Sequence, residues 1–409
     1  MITRLEVKNY RMLRANSVSL PPFSVLVGKN ATGKSTLLGV LRFVSELVRG
    51  GVAEALAGAL ERDAPNFAEL CFDPRLPIEI ALELAISERL VRYELRIGPG
   101  SEDQVVIQRE QLWIRTTESG ADKAALQLSL WTSDQIEVVH HKMPSGWRKV
   151  MEKNESGKDY FQDERTNWNN VFKFGPTRAA LGAIPEDETR FPLALRVRDL
   201  LRDGVITVEL DSAKLRQPSV PRSPPRLVPD GSNLARAVQA LRASDPVAYQ
   251  DWVASARTAV EGLDEVDVWE RPEDKKMILR ASFGGHHHEP VPSWLLSDGT
   301  LRLLALSLLS YTDGERGAVM CIEEPENGLH PLAMQAVHSA LSQPPPGGQI
   351  LVATHSPVFL AQVSLDQALV FRRQGDGSAQ VLRGPEVKEL REWRSSASVA
   401  DVFATGVLA

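Results

Sequence analysis

The sequence predicts an α/β fold: a parallel sheet built from both ends of the chain, an antiparallel β subregion, and an inserted, mainly helical region. The last third, from about residue 264, runs strand, hairpin, helix, strand, helix, strand, which is typical of a parallel sheet with crossover helices. Near the other end, a short apolar strand at 23–28 leads into a helix that begins near Lys34. Residues 78–131 alternate in strand fashion without helical patterns between the strands, which favours an antiparallel meander.

These patterns divide the chain into three regions. Residues 1–134 and 266–409 are predicted to form the N-terminal and C-terminal lobes of one domain, and residues 135–265 an inserted, mainly helical or irregular region. Residues 212–229 carry four prolines before Leu227 and four basic residues but no acidic one, which predicts an exposed connection. The helical patterns of the inserted region lie at 190–203, 232–243 and 246–262.

Within the N-terminal lobe, two short strands are predicted at 3–9 and 23–28, around a turn that contains Pro21 and Pro22. The second strand ends at Gly28. The helix that follows has a single apolar face, formed by Leu37, Leu38, Leu41 and Val44. The strands predicted for the meander are 78–86, 92–97, 105–114 and 125–131.

Composition narrows the class of protein. The 409 residues are 43% hydrophobic and 24% charged, enough to bury a sizeable core, and the net charge of −6 argues against a surface coated in nucleic acid. Cys71 and Cys321 cannot build a disulfide framework or a metal cluster, which favours a reducing cytoplasm. The first residues are charged rather than apolar, and the most apolar stretch, 303–309, is far short of the roughly 20 residues that span a bilayer. We therefore expect a soluble cytoplasmic protein without a membrane partner.

A phosphate-binding motif lies between the strand at 23–28 and its helix. Glycines let the backbone of such a loop wrap phosphates, and amide groups at the helix N-terminus supply donors and positive potential. Lys34 is expected to bridge the β- and γ-phosphates, and the Ser35 hydroxyl to hold Mg²⁺. The predicted phosphate-binding residues are Gly28, Lys29, Asn30, Ala31, Thr32, Gly33, Lys34, Ser35 and Thr36.

Two carboxylates end a buried strand in the C-terminal lobe. Five apolar residues at 318–322 precede Glu323 and Glu324, at the edge where open α/β sheets bind ligands. Glu323 is predicted to join the Mg²⁺ shell, and Glu324 to polarise the attacking water as general base. Many strands end in acids at a surface, so this assignment depends on the neighbouring motifs.

Three further elements surround the acidic strand. Upstream, Ser297-Asp298-Gly299-Thr300 opens a strongly apolar helix, with Ser297 placed as its N-cap. Downstream, residues 325–331 form a tight turn that contains Asn327. A second buried strand, 350–353, then ends in Thr354-His355-Ser356, which makes His355 a candidate γ-phosphate sensor.

The order of these motifs resembles that of the ABC ATPase superfamily. Glu323 lies 289 residues after Lys34, and the Ser-Asp-Gly-Thr element falls between them, whereas RecA-like or AAA+ motors place their acidic strand much sooner. The match covers residues 1–50 and 290–372 and implies an ABC-type ATPase head, a P-loop NTPase fold. By this resemblance, Ser297, Asp298 and Gly299 contact ATP bound to a second copy. Asn327 begins the D-loop, and His355 is the switch histidine.

Within the superfamily, the sequence is most similar to RecF-like and SMC-related ATPases, including the ATPase part of OLD-family nucleases and subunits of bacterial anti-phage systems. Asn9-Tyr10-Arg11, the signature at 297–300 and the segment 323–331 carry this likeness. Asp298 and Thr300 replace the usual Gly and Gln of the signature, and Glu323 stands where Asp is usual. The Q-loop glutamine is either Gln108 or Gln111.

Two features favour other interpretations. His286, His287 and His288 follow two glycines and precede Pro290, so a solvated hairpin tip is favoured over a metal site. Residues 142–178 mix aromatic side chains with eight Lys/Arg and five Asp/Glu. That segment can stack single-stranded bases, so a nucleic-acid contact is left open, but a protein contact or a partly ordered insertion explains it as well.

The resemblance implies an ATPase that uses ATP and Mg²⁺, forms a homodimer through its ATP sites, and switches a prokaryotic anti-phage complex. Because the sequence shows no acidic-strand set for a Toprim nuclease, a separate effector protein, a nuclease or similar toxic enzyme, is expected to dock on 135–265 through Trp147, Trp168 and the basic proline-rich segment. The alternatives are a RecF-like DNA-repair ATPase and a scaffold that binds ATP with little turnover.

Overall fold

The computed structural model describes residues 1–62, 66–100, 104–116, 137–142, 146–154, 158–166, 168–284, 289–311, 317–392 and 399–404. The strands are β1 Ile2–Tyr10, β2 Leu13–Ser19, β3 Phe23–Val27, β4 Ile78–Ile86, β5 Arg89–Pro99, β6 Val105–Arg115, β7 Trp147–Asn154, β8 Asp159–Gln162, β9 Asn169–Phe172, β10 Val205–Val208, β11 Leu263–Glu270, β12 Met277–Phe283, β13 Val291–Pro292, β14 Val319–Glu323, β15 Gln349–Ala353, β16 Ala368–Arg373 and β17 Ala379–Arg383. The helices are α1 Lys34–Gly50, α2 Val52–Arg62, α3 Pro192–Asp203, α4 Ser212–Leu215, α5 Leu234–Ser244, α6 Pro246–Ala259, α7 Asp298–Leu308, α8 Pro331–Leu341, α9 Pro357–Leu360, α10 Lys388–Glu392 and α11 Val399–Ala404.

A six-stranded sheet forms the centre of the fold, in the order β10-β14-β15-β3-β16-β17. Its neighbours pair in parallel except β16 and β17, which form an antiparallel hairpin. β3, from the start of the chain, lies between β15 and β16, and all five of its residues are buried. Both ends of the chain therefore build one mainly parallel sheet, which confirms the predicted α/β class.

The second large sheet is antiparallel and has eight strands, in the order β2-β1-β4-β5-β6-β7-β8-β9. β4, β5 and β6 confirm the predicted meander, whereas its fourth strand, 125–131, lies outside the described residues. β2 was not predicted; it folds back on β1 across a tight turn, from Tyr10 paired with Leu13 to Arg4 paired with Ser19.

The first part of 135–265, a region predicted to be mainly helical or irregular, instead contains β7, β8 and β9, which extend this antiparallel sheet. Their polar composition hides the strand pattern. Lys153 and Asp159 are fully buried, and their side chains pair at 2.5 Å. Phe161, also fully buried, packs edge-on against Phe172. A buried ion pair in place of two apolar residues removes the alternation that signals a strand.

The second half of that region is helical as expected, in α3, α5 and α6. It also contributes β10, which pairs in parallel with β14 at the edge of the central sheet. Residues 212–229 are mostly exposed or partly exposed, as expected, but Leu215, Ser219 and Leu227 are buried and anchor the segment. Residues 135–265 thus contribute strands to both large sheets. Their division from the two lobes remains a proposal.

Alternate residues of β3 face two separate cores, which explains why the strand is apolar apart from the buried Ser24. Leu26 joins a core shared by α1, α3 and the eight-stranded sheet. Phe23, Val25 and Val27 join a second core with α5 to α8. The central sheet is therefore covered on both faces, and its carboxyl edge stays free to carry a site.

A small third sheet, β11-β12-β13, continues from α6. β12 and β13 pair in antiparallel fashion, but the three histidines 286–288 between them lie outside the described residues. Across the part of the chain that the structure describes, no helix combines the length and apolar character needed to cross a membrane.

Candidate nucleotide-binding and hydrolysis site

Three neighbouring parallel strands end at one edge of the central sheet, and each delivers a predicted functional segment. β3 ends before Gly28, β14 ends at Glu323, and β15 ends before Thr354 and His355. The register places Glu323 beside Ala353, so the two acids and the histidine are neighbours although far apart in sequence. This edge is where ligands bind in open α/β sheets.

The phosphate loop joins β3 to α1 through backbone conformations that most side chains resist. Ala31 has φ 58° and Gly33 φ 104°, both in the left-handed region. Gly28 has no room for a side chain, since a Cβ atom would lie 2.6 Å from the carbonyl oxygen of Phe371. The Thr32 hydroxyl donates to the Lys29 carbonyl at 2.8 Å and closes the loop on itself.

Lys34 lies inside this loop. Its ammonium donates to the carbonyl oxygens of Gly28 at 2.8 Å and of Lys29 at 2.9 Å. Burial lowers the pKa of Lys34 to about 8, against the opposing effect of the Glu324 and Glu323 carboxylates. The ammonium is therefore held in a partly desolvated position where a phosphate group is its natural counter-ion.

Ser35 and Glu323, the two predicted Mg²⁺ ligands, contact each other: the Ser35 hydroxyl donates to Oε2 of Glu323. Among the described residues, no group of three His, Cys, Asp or Glu side chains could hold a metal ion by itself. One hydroxyl and one carboxylate nevertheless fit Mg²⁺, which is usually held by one or two carboxylates together with substrate phosphates. The residues present therefore match the ion that the sequence predicts.

Glu324 and His355 lie across from each other, with His355 Nε2 at 3.4 Å from Glu324 Oε1. Glu324 has φ 46°, a left-handed conformation held by its N–H, which donates to Ala353 O at 2.8 Å. Burial, followed by hydrogen bonding and charge repulsion from Glu326, raises the pKa of Glu324 to about 7. Burial and the Lys34 charge lower the pKa of His355, which favours its neutral form near neutral pH, where Glu324 is about half ionised.

Glu326 is a site residue that sequence reasoning missed. Its Oε1 accepts hydrogen bonds from the Thr354 hydroxyl at 2.6 Å and from the His355 N–H at 2.9 Å. Its Oε2 is buried and, in the described part of the chain, has no hydrogen-bond partner. Glu326 thus connects the turn after β14 to the segment that carries His355.

A cleft of about 650 Å³ surrounds the phosphate loop and is lined by residues 30–36, Glu324 and His355. Further side chains that the motifs did not assign also line it, among them Arg11, Met12, Phe72, Arg373 and Asp376. The nearby Asn9 side chain fixes one wall, because its amide donates to the carbonyls of Asp73, Leu76 and Pro77. The only sequence feature that pointed to this wall of the cleft was the Asn-Tyr-Arg motif at 9–11.

Neither candidate Q-loop glutamine lines this cleft. Gln108 and Gln111 both lie on β6, where Gln108 donates to Pro99 O at 3.0 Å and Gln111 to Glu152 Oε1 at 3.2 Å. Their contacts belong to the antiparallel sheet, so the choice between them stays open.

The signature loop lies at the same edge of the sheet but does not line the cleft of its own chain. Ser297 caps α7, with its Oγ accepting from Thr300 N at 3.1 Å, and Ser297 and Asp298 are exposed. Gly299 packs on the turn after β14, where an added Cβ would lie 2.8 Å from Gly328 O. Asn327 is exposed in this turn and is likewise absent from the cleft lining.

Comparison with known protein families gives a match over residues 23–361 to the family described as "AAA domain, putative AbiEii toxin, Type IV TA system". No curated protein matches the chain. Two solved structures share its fold. One is an SMC head bound to the C-winged helix domain of ScpA: 13% identity, TM-score 0.52, covering 93% of this chain and 97% of that chain.

The second is an Smc head domain with an extended coiled coil bound to the C-terminal domain of ScpA, from Pyrococcus furiosus. It is 14% identical, covers 96% of this chain and 99% of that chain, and has a TM-score of 0.52. At such low identity these likenesses show the fold alone, and they agree with the RecF-like and SMC-related resemblance of the motifs. Because the family match spans most of the chain and includes the phosphate loop, the acidic strand and the histidine segment, the chain belongs to the family of AAA domains described with the putative AbiEii toxin, and it has the fold of SMC head domains.

Proposed function

We propose that two copies of this chain close head to tail around two ATP molecules and open again when the ATP is hydrolysed. The observation that supports this most strongly is the position of the signature loop. Ser297 and Asp298 are exposed at the edge that carries the phosphate loop, yet they do not line its cleft. A two-fold pairing brings the signature of each copy to the nucleotide of the other.

Exposed apolar side chains beside the signature loop support the same pairing. Trp294 is 48% exposed, Leu295 70% and Leu332 57%; the first two precede the signature and the third follows the turn that Gly299 contacts. Large apolar side chains clustered at the surface mark protein interfaces. Closure around ATP removes these three side chains from water.

Hydrolysis is assigned to the residues gathered at the ends of β14 and β15. Glu324 accepts the proton of the attacking water, and His355 and Lys34 stabilise the γ-phosphate as charge develops on it. Mg²⁺ held between Ser35, Glu323 and the phosphates would neutralise phosphate charge. The pKa of about 7 suits Glu324 to this role, since a general base is most effective when its pKa is near the working pH.

The biological role we propose is the switch of a prokaryotic anti-phage complex that controls a separate effector protein. The family description, a putative toxin of a type IV toxin–antitoxin system, supports a role of this kind. Of the two tryptophans predicted to dock the effector, Trp168 is 72% exposed beside the edge strand β9, whereas Trp147 is only partly exposed. The docking surface is therefore centred on Trp168, Val171 and Phe172.

The pairing is tested by sedimentation velocity with and without Mg-ATP. Leu295→Glu should abolish ATP-dependent dimerisation while the monomer still binds ATP, because a charge would be buried in the interface. Val247→Glu is the matched control, since Val247 is 71% exposed on α6 and belongs to no part of the proposed interface. Equal dimerisation of both variants, or a wild-type chain that stays monomeric with ATP, would contradict the proposal.

The effector role is tested by purifying the chain with the products of its neighbouring genes and identifying what co-elutes. Trp168→Ser should release a bound effector without changing ATP-dependent dimerisation, since Trp168 lies outside the catalytic site. Salt-sensitive binding of DNA by the isolated protein, with no co-eluting protein, would favour the RecF-like alternative instead. Firm ATP-dependent pairing with negligible hydrolysis would favour the scaffold.

A further inference from the structure

The signature loop carries a negative charge at the position that faces the partner's nucleotide. Asp298 is the first residue of α7, directly after the cap Ser297, and its side chain is 53% exposed. In the proposed closed dimer, the triphosphate of the other copy comes to this loop. A carboxylate and a phosphate repel each other, most strongly once closure has removed the water between them.

Arg216 lies directly against that carboxylate. Its Nε and Nη2 donate to Oδ1 of Asp298 at 3.2 and 2.5 Å. A guanidinium keeps its charge at any working pH, and its planar donors suit a carboxylate. The ion pair cancels the charge that Asp298 would otherwise present to the phosphates.

The same side chain holds the loop in place on its other side. Nη1 of Arg216 donates to the carbonyls of Trp294 at 3.0 Å and Leu296 at 2.7 Å. The Ser293 hydroxyl donates in return to the Arg216 carbonyl at 3.0 Å. One residue therefore contacts the chain on both sides of Ser297, the residue expected to meet the γ-phosphate.

The backbone positions Arg216 firmly. It follows α4, whose first two free N–H groups, of Ala213 and Lys214, donate to the Asp211 side chain. Leu215 anchors α4 in the core, with a relative exposure of 1%. The Arg216 side chain is only 31% exposed. Arg216 is thus a fixed part of the signature surface rather than a mobile surface residue.

We propose that Arg216 is a positioning residue of the composite ATP site: it neutralises Asp298 so that the signature loop of one copy can receive the triphosphate bound to the other. This rests on the proposed head-to-tail closure. It accounts for a signature that tolerates an acid where the superfamily has glycine, since the compensating charge comes from a separate segment of the chain.

The test compares dimer dissociation constants in Mg-ATP, by sedimentation equilibrium, in a Glu324→Gln background that slows hydrolysis. Arg216→Ala should leave the ATP affinity of the monomer within about twofold but weaken the dimer by about tenfold or more, because like charges then meet at the interface. Arg216→Ala combined with Asp298→Asn should recover dimerisation to within about threefold, since no charge is left to neutralise. Arg222→Ala is the matched control: an exposed arginine of the same segment, outside the signature contacts.

Rescue by Asp298→Asn separates a charge effect from a merely structural one. Dimerisation of Arg216→Ala equal to wild type, or a double variant as weak as the single one, would overturn the proposal. Asp298→Asn alone, which leaves Arg216 in place, should dimerise at least as tightly as wild type, and a tenfold loss there would also overturn it. If the parent protein, which retains Arg216, does not dimerise with ATP at all, the proposed function and this inference both fail. That outcome is distinct from one in which the parent dimerises and only the expected effect of Arg216→Ala is missing.

Discussion

Glu324 combines two features that are costly for an ordinary surface acid and useful for a base. Its backbone has φ 46°, a region that residues with a Cβ seldom occupy, and its carboxyl group is partly desolvated beside Glu326. The hydrogen bond from its N–H to Ala353 O and the end of β14 hold it there. Strain and desolvation together aim one carboxyl group at the cleft with a pKa close to neutrality.

This pKa predicts the pH dependence of hydrolysis. A general base works only when deprotonated, so kcat/KM should rise with pH through about 7 and level off above it. Glu326→Gln removes the charge that raises the pKa of Glu324 while keeping an acceptor for Thr354 and His355, so the rising limb should move to lower pH. Steady-state phosphate release between pH 5.5 and 9 checks both the pH profile of the wild type and its shift in Glu326→Gln. A limb unmoved by Glu326→Gln would show that Glu326 does not influence the base.

Replacement of the two strand-end acids separates their roles. Glu324→Gln should keep ATP and Mg²⁺ binding and lower kcat by at least about 100-fold, the usual effect of losing a general base. Glu323→Gln should instead raise the Mg²⁺ concentration needed for half-maximal activity, because Glu323 contacts Ser35 and shares the predicted ion. A mild Glu324→Gln and a severe Glu323→Gln at saturating Mg²⁺ would mean that the two assignments are reversed.

Sequence patterns predicted the site residues that belong to local motifs. Lys34 and Ser35 follow from the spacing of the phosphate loop, and Glu323 from its place at the end of an apolar strand. Glu326 and Arg216 could not be found in this way, because their roles depend on contacts with residues 28 and 82 positions away. A carboxylate in a turn or an arginine after a short helix looks ordinary until the fold brings its partner to it.

At the scale of the elements, the N-terminus of α7 and the turn after β14 pack directly against each other. Gly299 lies against the Gly328 carbonyl without room for a methyl group, and Gly328 itself has φ 77°. The proposed signature and D-loop of one chain are therefore in direct contact. In the proposed dimer, this contact would connect Glu324, which begins the same turn, to the signature that serves the other nucleotide.

Gly299→Ala tests this contact. The added Cβ at 2.8 Å from Gly328 O forces a shift, and overpacking of this kind typically costs about 1–3 kcal/mol. We expect unchanged ATP affinity in the monomer and an ATP-dependent dimer weakened by about fivefold or more, measured by sedimentation equilibrium. Gly284→Ala is the control, because its Cβ would meet only the end of the Asp264 side chain. Wild-type dimerisation of Gly299→Ala would show that the contact can relax freely.

Two of the strands that sequence patterns missed carry charges at buried positions. β7 and β8 bury Lys153 and Asp159 as a pair, so their strand alternation is invisible to a hydrophobic pattern. Parallel strands such as β3 and β15, which are buried on both faces, are mainly apolar and were predicted to within one residue of their bounds. The pattern therefore predicts the central sheet well and the far end of the antiparallel sheet poorly.

At the scale of the whole molecule, the catalytic edge lies where the two cores meet. One core joins α1 to the antiparallel sheet and the other joins α7 and α8 to the opposite face of the central sheet. The phosphate loop therefore belongs to one side of the molecule and the signature to the other. In the proposed dimer, a nucleotide bound between two copies would link both sides of both molecules and so make closure dependent on ATP.

Complementation between two inactive variants tests this arrangement. Lys34→Ala should lose ATP binding, because the phosphate charge is no longer compensated in a partly desolvated loop. Ser297→Arg should bind ATP but block closure, since its bulk occupies the surface that receives the partner's nucleotide. A heterodimer of the two contains one site with an intact Lys34 and, from the other chain, an intact Ser297. Mixing the variants should therefore restore measurable ATP hydrolysis at that single site, detected as phosphate release at a fixed total protein concentration.

Both variants alone must stay inactive, and heterodimer formation must be shown by differently tagged copies. Heterodimers that form but never hydrolyse ATP would contradict a site shared between subunits. A covalently linked dimer with one wild-type half distinguishes this outcome from a requirement that both sites hydrolyse ATP together.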